Sequence, residues 1–291
     1  MSSFLQLLVS GLATGAIYAL VAVGFSLLWQ ASQTINFAQG EFVMVPAFFV
    51  LVAMNAGAPF PLAVVIGVAA ALLILGLLFK RAVVDPMLRH GVLPLVVSTI
   101  ALSILMREAV KDFYSAQAQP FPALVSDRDI SILGAVFSLQ SLVVLAVAVA
   151  VAAALHVFLA HTRTGRMMQA TAQNPTVARI IGIPVERMIL LTFAINAALC
   201  AVASVLVSPI YLAKFTNGET LGLAAFVAAV IGGFNQARGA MAGGFLLGVM
   251  DNLCAAYISA QYRAVVPLLL LVAFILFRPQ GMFGRLQERT V

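Results

Sequence analysis

Glu41 and Asp251 are acids placed where a carboxylate is costly. Glu41 opens one strongly apolar run and Asp251 lies about midway along another, 240 to 259. An ionised group in such a place needs a cavity or a partner. Asn36 and Gln39 stand just before Glu41 in the break QASQTINFAQGEF, residues 30 to 42, whose only charge is Glu41. Thr99 and Ser103 are four positions apart and share a face of the run 92 to 110, with Ser98 adjacent, and Asn196 carries an amide into the middle of the run 188 to 208. These are groups that can meet a polar solute, and free N–H groups at the start of the helix after the break could face a solute carboxylate. Each also has a plainer use. Asn36 and Gln39 can satisfy backbone groups in a turn, hydroxyls in membrane helices bond back to their own helix, Asn196 can pair across helices, and Asp251 can lie protonated among small residues.

Other chemistries lack their residues. No G-x-x-x-x-G-K-[ST] phosphate loop and no H-E-x-x-H occurs, and His90, His156 and His161 fit no metal spacing. Cys200 and Cys254 lie inside apolar runs and read as small hydrophobes in helix packing. The chain offers no nucleophile, metal or cofactor constellation for an enzyme, and ATP hydrolysis cannot be assigned to it.

The elements that position these groups are membrane helices. Of 291 residues, 63% are hydrophobic and 9% charged, far below the roughly 25% charge of soluble domains. The net charge of +6 would suggest nucleic acid in a soluble protein, but here the basic residues cluster between apolar runs, as membrane orientation requires, and nucleic acid is discarded. Lipid is the expected surrounding. Apolar runs fall at about 4 to 29, 41 to 56, 60 to 80, 92 to 110, 139 to 160, 188 to 208, 221 to 233, 240 to 259 and 264 to 277. The pattern predicts an all-α polytopic membrane protein with about nine transmembrane helices, eight being the alternative, since 41 to 56, 221 to 233 and 264 to 277 are short for a span. The first apolar run lacks a basic flank and continues too far for a cleaved signal, so it is expected to be retained.

Lys80, Arg81 and Arg89, the loop 161 to 187, Arg238, and Arg278, Arg285 and Arg289 share one side if nine runs alternate, leaving Arg107, Lys111, Arg128, Lys214 and Arg263 on the other. The N-terminus is then outside and the C-terminus inside. The segment 112 to 138, with Asp127, Arg128 and Asp129, becomes the main outer surface, and Arg107, Glu108, Lys111 and Asp112 can pair locally at helix spacing. Four runs precede the helix 139 to 160 and four follow the loop 161 to 187, so the two sets start from opposite sides, an inverted repeat of about 4–110 and 188–277 within one domain, 1–291. In each set the second member is short. Short, interrupted segments at matching positions point to a pathway near the midplane. The break 30 to 42 lacks the Lys or Arg of an ordinary cytoplasmic loop, so it is expected to be irregular backbone buried in protein or lining a cavity. The glycines 232, 233, 239, 243, 244 and 248 are expected to let helices pack closely.

The loop 161 to 187 holds Arg163, Arg166, Arg179 and Arg187 against the single acid Glu186. It also predicts a short helix from Pro175 to Ile181. Asn174 is a good N-cap, Pro175 needs no partner for its missing N–H at the first helical position, and Gly182 can take the left-handed conformation that ends a helix. Presenting Val177, Ile180 and Ile181 beside Arg179, this helix could dock into a groove of a partner or serve only to anchor topology.

GLATGAIYALVAVGFSLLW followed by TINFAQGEF, then GRMMQATAQNPTVARIIGI, then AVIGGFNQARGAMAGGFLLG closely resemble the inner-membrane permeases of bacterial ABC importers for branched-chain amino acids. The likeness is to the LivH type rather than its LivM-type partner, and covers nearly the whole chain. It implies that the polar loop is the segment contacting the ATPase, through Ala170, Asn174, Pro175, Ala178, Arg179 and Gly182. It further implies a LivM-type permease, two ABC ATPase subunits that bind ATP and Mg, and a periplasmic substrate-binding protein as partners. The place implied is the bacterial inner membrane, and the mechanism is alternating access driven by ATP. Relatives often carry Glu late in the glycine-rich helix where this chain has Asp251, which keeps the acid and shortens its reach. Related importers carry branched-chain or other amino acids, amides or urea, so the solute stays open. The residues alone also leave open an ion-coupled secondary carrier using Glu41 and Asp251, or an assembly subunit with no path of its own.

Overall fold

Long uninterrupted apolar stretches leave the backbone no partner but itself, and in hydrocarbon that forces helix. The computed structural model describes residues 2–125, 129–132, 135–278 and 280–283. Among them, eleven helices follow in order: α1 Ser2–Ser32, α2 Gln39–Asn55, α3 Phe60–Leu88, α4 Val92–Phe113, α5 Leu139–His161, α6 Arg163–Gln173, α7 Pro175–Ile180, α8 Val185–Tyr211, α9 Asn217–Gly232, α10 Ala237–Tyr257 and α11 Val265–Phe277. Six, namely α1, α3, α4, α5, α8 and α10, are long and apolar enough to cross a membrane, whereas α2, α9 and α11 are shorter apolar helices. The chain is a multi-pass membrane protein. The three short helices fall on the three short apolar runs.

One compact unit comprises Met1–Ser26, Val125–Ala148 and Leu223–Val291. Its helices meet through glycine. A Cβ on Gly248 would collide with the backbone of Gly15 and one on Gly244 with Ala19, so α1 and α10 touch nearly backbone to backbone. Gly243 meets Ala228 and Gly239 meets Gly232 in the same way, which closes the hairpin of α9 and α10. The expectation that these glycines serve packing is met by this geometry. Beyond α11, Met282 N–H donates to the Ile231 carbonyl at 2.7 Å and Phe283 N–H to that of Gly232 at 3.3 Å, which satisfies carbonyls at the end of α9.

The second unit comprises Leu27–Leu124 and Val149–Gly222. Here α2 packs on α3 and α8, with Gly67 of α3 against Val50 and the Pro46 carbonyl of α2, and Gly76 against Ala194 and Ala197 of α8. Phe42, Phe79 and Phe193 stack from α2, α3 and α8, the first two edge to face at 4.9 Å. The second half of α3 is π-wound, over Leu72–Leu78 and Lys80–Val84.

The all-α expectation has one exception. Asp129–Ile132 and Ala135–Ser138 pair as an antiparallel hairpin, Asp129 opposite Ser138 and Ile132 opposite Ala135. The reason is local: DISI alternates polar and apolar residues at strand period, and AVFS carries the strand-favouring Val136 and Phe137. Asp127 and Arg128 of the expected outer surface lie outside the described residues. A second finding not read from the sequence is α6, an amphipathic helix that buries Gly165, Met168 and Thr171.

Because Gly248 faces backbone that cannot turn away, Gly248→Val should destabilise by about 3 kcal/mol, the upper end of overpacking costs. Thermal unfolding in detergent should show a clear drop in midpoint. An unchanged midpoint would mean that α1 and α10 are not in close contact.

Candidate translocation site and coupling segment

Helix α1 ends at Ser32 and α2 begins at Gln39, so the break is residues 33–38, narrower than 30 to 42. Gln33 takes φ +53°, and Thr34, Asn36 and Ala38 are buried. Asn36 closes the turn: its Oδ1 accepts the Ala38 N–H at 3.0 Å and its carbonyl accepts the Gln39 N–H at 3.2 Å. The Phe37 N–H donates to the Thr99 hydroxyl at 3.3 Å, and Thr99 in turn donates to the Val96 carbonyl at 2.9 Å. Thr99 therefore bonds back to its own helix and also to the break.

Gln39 and Asn196 are both fully buried, and their amides bond reciprocally, at 2.6 Å and 3.0 Å. The Gln39 Nε2 also lies 3.3 Å from the Cys200 sulfur. Each amide thus finds across α2 and α8 the partner that its burial demands. Glu41 is 2% exposed, and its Oε1 accepts the Ser103 hydroxyl at 3.1 Å. Among the described residues its Oε2 has no hydrogen-bond partner, and neither has the Asn36 Nδ2. Leaving such a group unmet costs about 1 to 3 kcal/mol each. Gln140 and Ser204 also carry buried polar atoms without partners.

What closes over Glu41 is glycine. A Cβ on Gly218 would collide with the Glu41 carboxylate, one on Gly40 with the Gly218 carbonyl, and one on Gly222 would sit 2.7 Å from the Gly40 Cα. The first turns of α2 and α9 are pressed together at the acid. One turn beyond Ser103 on α4, Arg107 pairs with Glu219 of α9 at 2.8 Å. That bridge crosses helices, whereas the expected local pairing is seen for Lys111 with Glu108 at 2.6 Å. Neither Arg107 with Glu219 nor the three glycines was singled out from the sequence. Gly218 and Gly222 share one helix face by spacing, but their partner Gly40 lies far away in the chain.

Asp251 is in the other unit, and its charge is answered there. The Arg263 Nε donates to both carboxylate oxygens at 2.8 Å, a second guanidinium nitrogen reaches Oδ2 at 2.8 Å, and the Tyr18 hydroxyl donates to Oδ2 at 3.2 Å. Such a bidentate pair ties α10 to the turn before α11 and to α1.

In the polar loop, the expected short helix is present as Pro175–Ile180. Asn174 caps it by accepting the N–H groups of Thr176 and Val177, both at 3.0 Å. Gly182 takes φ +84°, while the N–H groups of Gly182 and Ile183 bond to the carbonyls of Arg179 and Ala178. Ala178 is buried, whereas Val177, Ile180 and Ile181 are exposed, Ile180 by 79%. Ala170 lies on α6 and is half-buried. Behind the helix, Glu186 meets Arg179 at 3.2 Å and Lys80 at 3.3 Å, and the buried Lys80 also meets Asp85 at 2.9 Å. Charge thus links α7, the start of α8 and the end of α3.

Asn174→Ala should raise amide hydrogen exchange at Thr176 and Val177 first, with loss of about 0.5 to 2 kcal/mol of local stability. Gly182→Val should instead loosen Ile181 to Ile183, because nothing crowds the site and only the left-handed backbone opposes the side chain. Identical exchange profiles for both variants and the parent would contradict this capping.

Comparison with known proteins places these elements in a wider set. Residues 7–275 match the family described as branched-chain amino acid transport system, permease component. The chain is 34% identical to the high-affinity branched-chain amino acid transport system permease protein BraD of Pseudomonas aeruginosa, over 99% of this chain and 98% of that one. It is 32% identical to LivH of Escherichia coli K12, over 99% and 98%. A shorter likeness, 30% identity over 42% of this chain and 38% of the other, is to the fructose import permease protein FruG of Bifidobacterium longum. Among solved structures, PsaBC from Streptococcus pneumoniae in complex with Fab shares the fold at a TM-score of 0.51 and 14% identity, covering 96% of this chain and 94% of that one.

Proposed function

The chain belongs to the branched-chain amino acid transport system permease family, a transmembrane transport subunit rather than an enzyme, and from that premise we propose that it forms half of the translocation path of an ATP-driven ABC importer for branched-chain or related amino acids. A LivM-type permease supplies the other half in the bacterial inner membrane. Two ABC ATPase subunits bind ATP and Mg, and a periplasmic binding protein delivers the solute. The whole chain, 1–291, serves as one permease domain of nine spans in two inverted repeats. ATP binds the closed arrangement of the ATPases more tightly, and that difference in affinity shifts the permeases between outward and inward states.

The observation that carries this reading is the depth of the break. Thr99, which holds the break, and Ser103, which holds the first turn of α2, lie 7 and 11 residues beyond Val92, where α4 starts, about 10 and 16 Å along its axis. Across a hydrocarbon core of about 30 Å, that is the middle third. Irregular backbone at such depth is tolerated where it lines a path. The meeting of the first turns of α2 and α9 supports the same placement. The two short helices occupy corresponding positions of the repeats and enter from opposite faces, so their N-terminal ends can touch only when both begin inside the membrane. In this reading Asn36, Glu41, Thr99 and Ser103 border the path, Gln39 and Asn196 fix the helix start, and Asp251 holds the second repeat together. On the cytoplasmic side, α7 docks its exposed Val177, Ile180 and Ile181 into the ATPase, with Ala170, Asn174, Pro175, Ala178, Arg179 and Gly182 shaping that contact.

Reconstitution of the chain with its partner permease, ATPases and binding protein should give leucine uptake that requires both ATP and binding protein. Uptake of an amide or urea in place of leucine would change the solute and keep the mechanism. Uptake driven by an ion gradient alone would overturn the reading. Asn174→Ala and Gly182→Val should leave insertion intact while stimulation of ATPase activity by loaded binding protein falls at least several-fold. Reporter fusions after Arg89, Gln173 and Arg285 should all report cytoplasm, and an outside signal at any of them would break the nine-span arrangement.

A further inference from the structure

Two polar atoms of opposite character are left unmet among the described residues where the break enters α2, the acceptor Glu41 Oε2 and the donor Asn36 Nδ2. Both side chains are more than nine-tenths buried, with 2% and 5% exposure. Their identities are fixed by the partners of their other atoms. Asn36 Oδ1 accepts the Ala38 N–H, so the nitrogen is the free end, and Glu41 Oε1 accepts the Ser103 hydroxyl, so Oε2 is the free one. The break also has a built-in ruler. Asn36 is followed by Phe37, whose N–H rests on Thr99, and Glu41 rests on Ser103, one turn further along α4, so these anchors stand about 6 Å apart along that helix. An α-amino acid carries its ammonium and carboxylate on a single carbon. With a hydrogen bond of about 2.9 Å at each end it spans about 6 to 8 Å. Groups anchored one helical turn apart suit that zwitterion better than one whose charges stand at opposite ends of a chain.

We propose that Glu41 and Asn36 form an intramembrane subsite that takes the ammonium of a passing α-amino acid on the Glu41 carboxylate and its carboxylate on the Asn36 amide. The subsite rests on the permease reading above, and gives that path a selectivity for zwitterions separate from the binding protein. It is shut in this structure by the contact of Gly40 with Gly218 and Gly222, and it opens when the first turn of α9 withdraws from that of α2. Arg107, paired with Glu219 one turn beyond Ser103, spans α4 and α9 on the side where that withdrawal occurs. Glycine at 218 is required for the shut state, because a Cβ there would collide with the Glu41 carboxylate.

Saturation-transfer difference NMR on the purified permease and ATPase complex, without binding protein, tests this with leucine as the probe. Leucine should give a saturable signal. Isopentylamine, which keeps only the ammonium, and 4-methylpentanoate, which keeps only the carboxylate, should each compete at least tenfold more weakly than leucine does. Glu41→Gln keeps an acceptor for Ser103 and turns only the free atom into a donor; Asn36→Asp keeps the acceptor for Ala38 and turns only the free atom into an acceptor. Each should lower leucine affinity at least tenfold, and Glu41→Gln should abolish competition by isopentylamine. The competition on the unaltered complex gives an answer even where a variant fails to assemble. Equal competition by the three compounds, no leucine signal, or parental affinity in both variants would overturn the subsite. ATP-driven uptake by the same preparation keeps the two readings apart: uptake without a leucine signal refutes the subsite alone, whereas absence of uptake refutes the permease assignment.

Discussion

The reciprocal amide pair of Gln39 and Asn196 is the contact on which the arrangement of the break depends. In hydrocarbon a polar group without a partner is penalised, so a glutamine at the start of α2 must be met by something on the helix it faces. Asn196 on α8 does so with both of its amide atoms. Once that register is set, the side chains that follow have little freedom. Asn36 must turn the chain, Gly40 must face the first turn of α9, and Glu41 must reach Ser103 on α4. The Phe42, Phe79 and Phe193 cluster then packs next to the pair and keeps water from competing with it.

The two buried acids illustrate how environment assigns a role. Asp251 meets a guanidinium in bidentate geometry together with a tyrosine hydroxyl, and such a pair leaves little capacity for a solute. Glu41 meets one hydroxyl and otherwise glycine. An acid held in this half-satisfied way is costly where it stands. A third charged cluster, Lys80 with Asp85 and Glu186, lies where the π-wound part of α3 meets the start of α8. Through Glu186 it also holds Arg179 of α7. Helix α7 is therefore joined to α3 and α8 by charge as well as by the backbone. The exposed part of that network contributes little to stability in itself, and its value lies in fixing direction.

Features governed by neighbouring residues were legible in the sequence. The caps of α7 are read directly from Asn174, Pro175 and Gly182, and the shortness of α2, α9 and α11 from the lengths of apolar runs. The buried character of the break followed from the absence of Lys and Arg. Contacts between residues distant in the chain were not legible. Gly40 gives no sign that it will meet Gly218, Arg107 none that it will pass over its neighbours for Glu219, and Asp251 none that Arg263 will fold back upon it. The helix α6 was missed for a different reason. Gly165 lowers helix propensity, and its role is seen only where it lets the chain turn tightly against Phe158 and Leu159 at the end of α5. The hairpin at 129–138 was not legible because its strands have four residues each and only one of them alternates.

The central claim is that the break before α2 borders the path and is opened by transport. Cysteine placed singly at the buried positions 34, 38 and 99, in the break or beneath it, in the reconstituted complex, and probed with a small charged methanethiosulfonate reagent, tests it most directly. Native Cys200 and Cys254 are buried, so labelling of the parent gives the background. The account predicts little labelling at rest and a rise of at least several-fold at all three positions while ATP, loaded binding protein and leucine are present. Labelling that is rapid at rest and indifferent to turnover, or absent under both conditions, would contradict it.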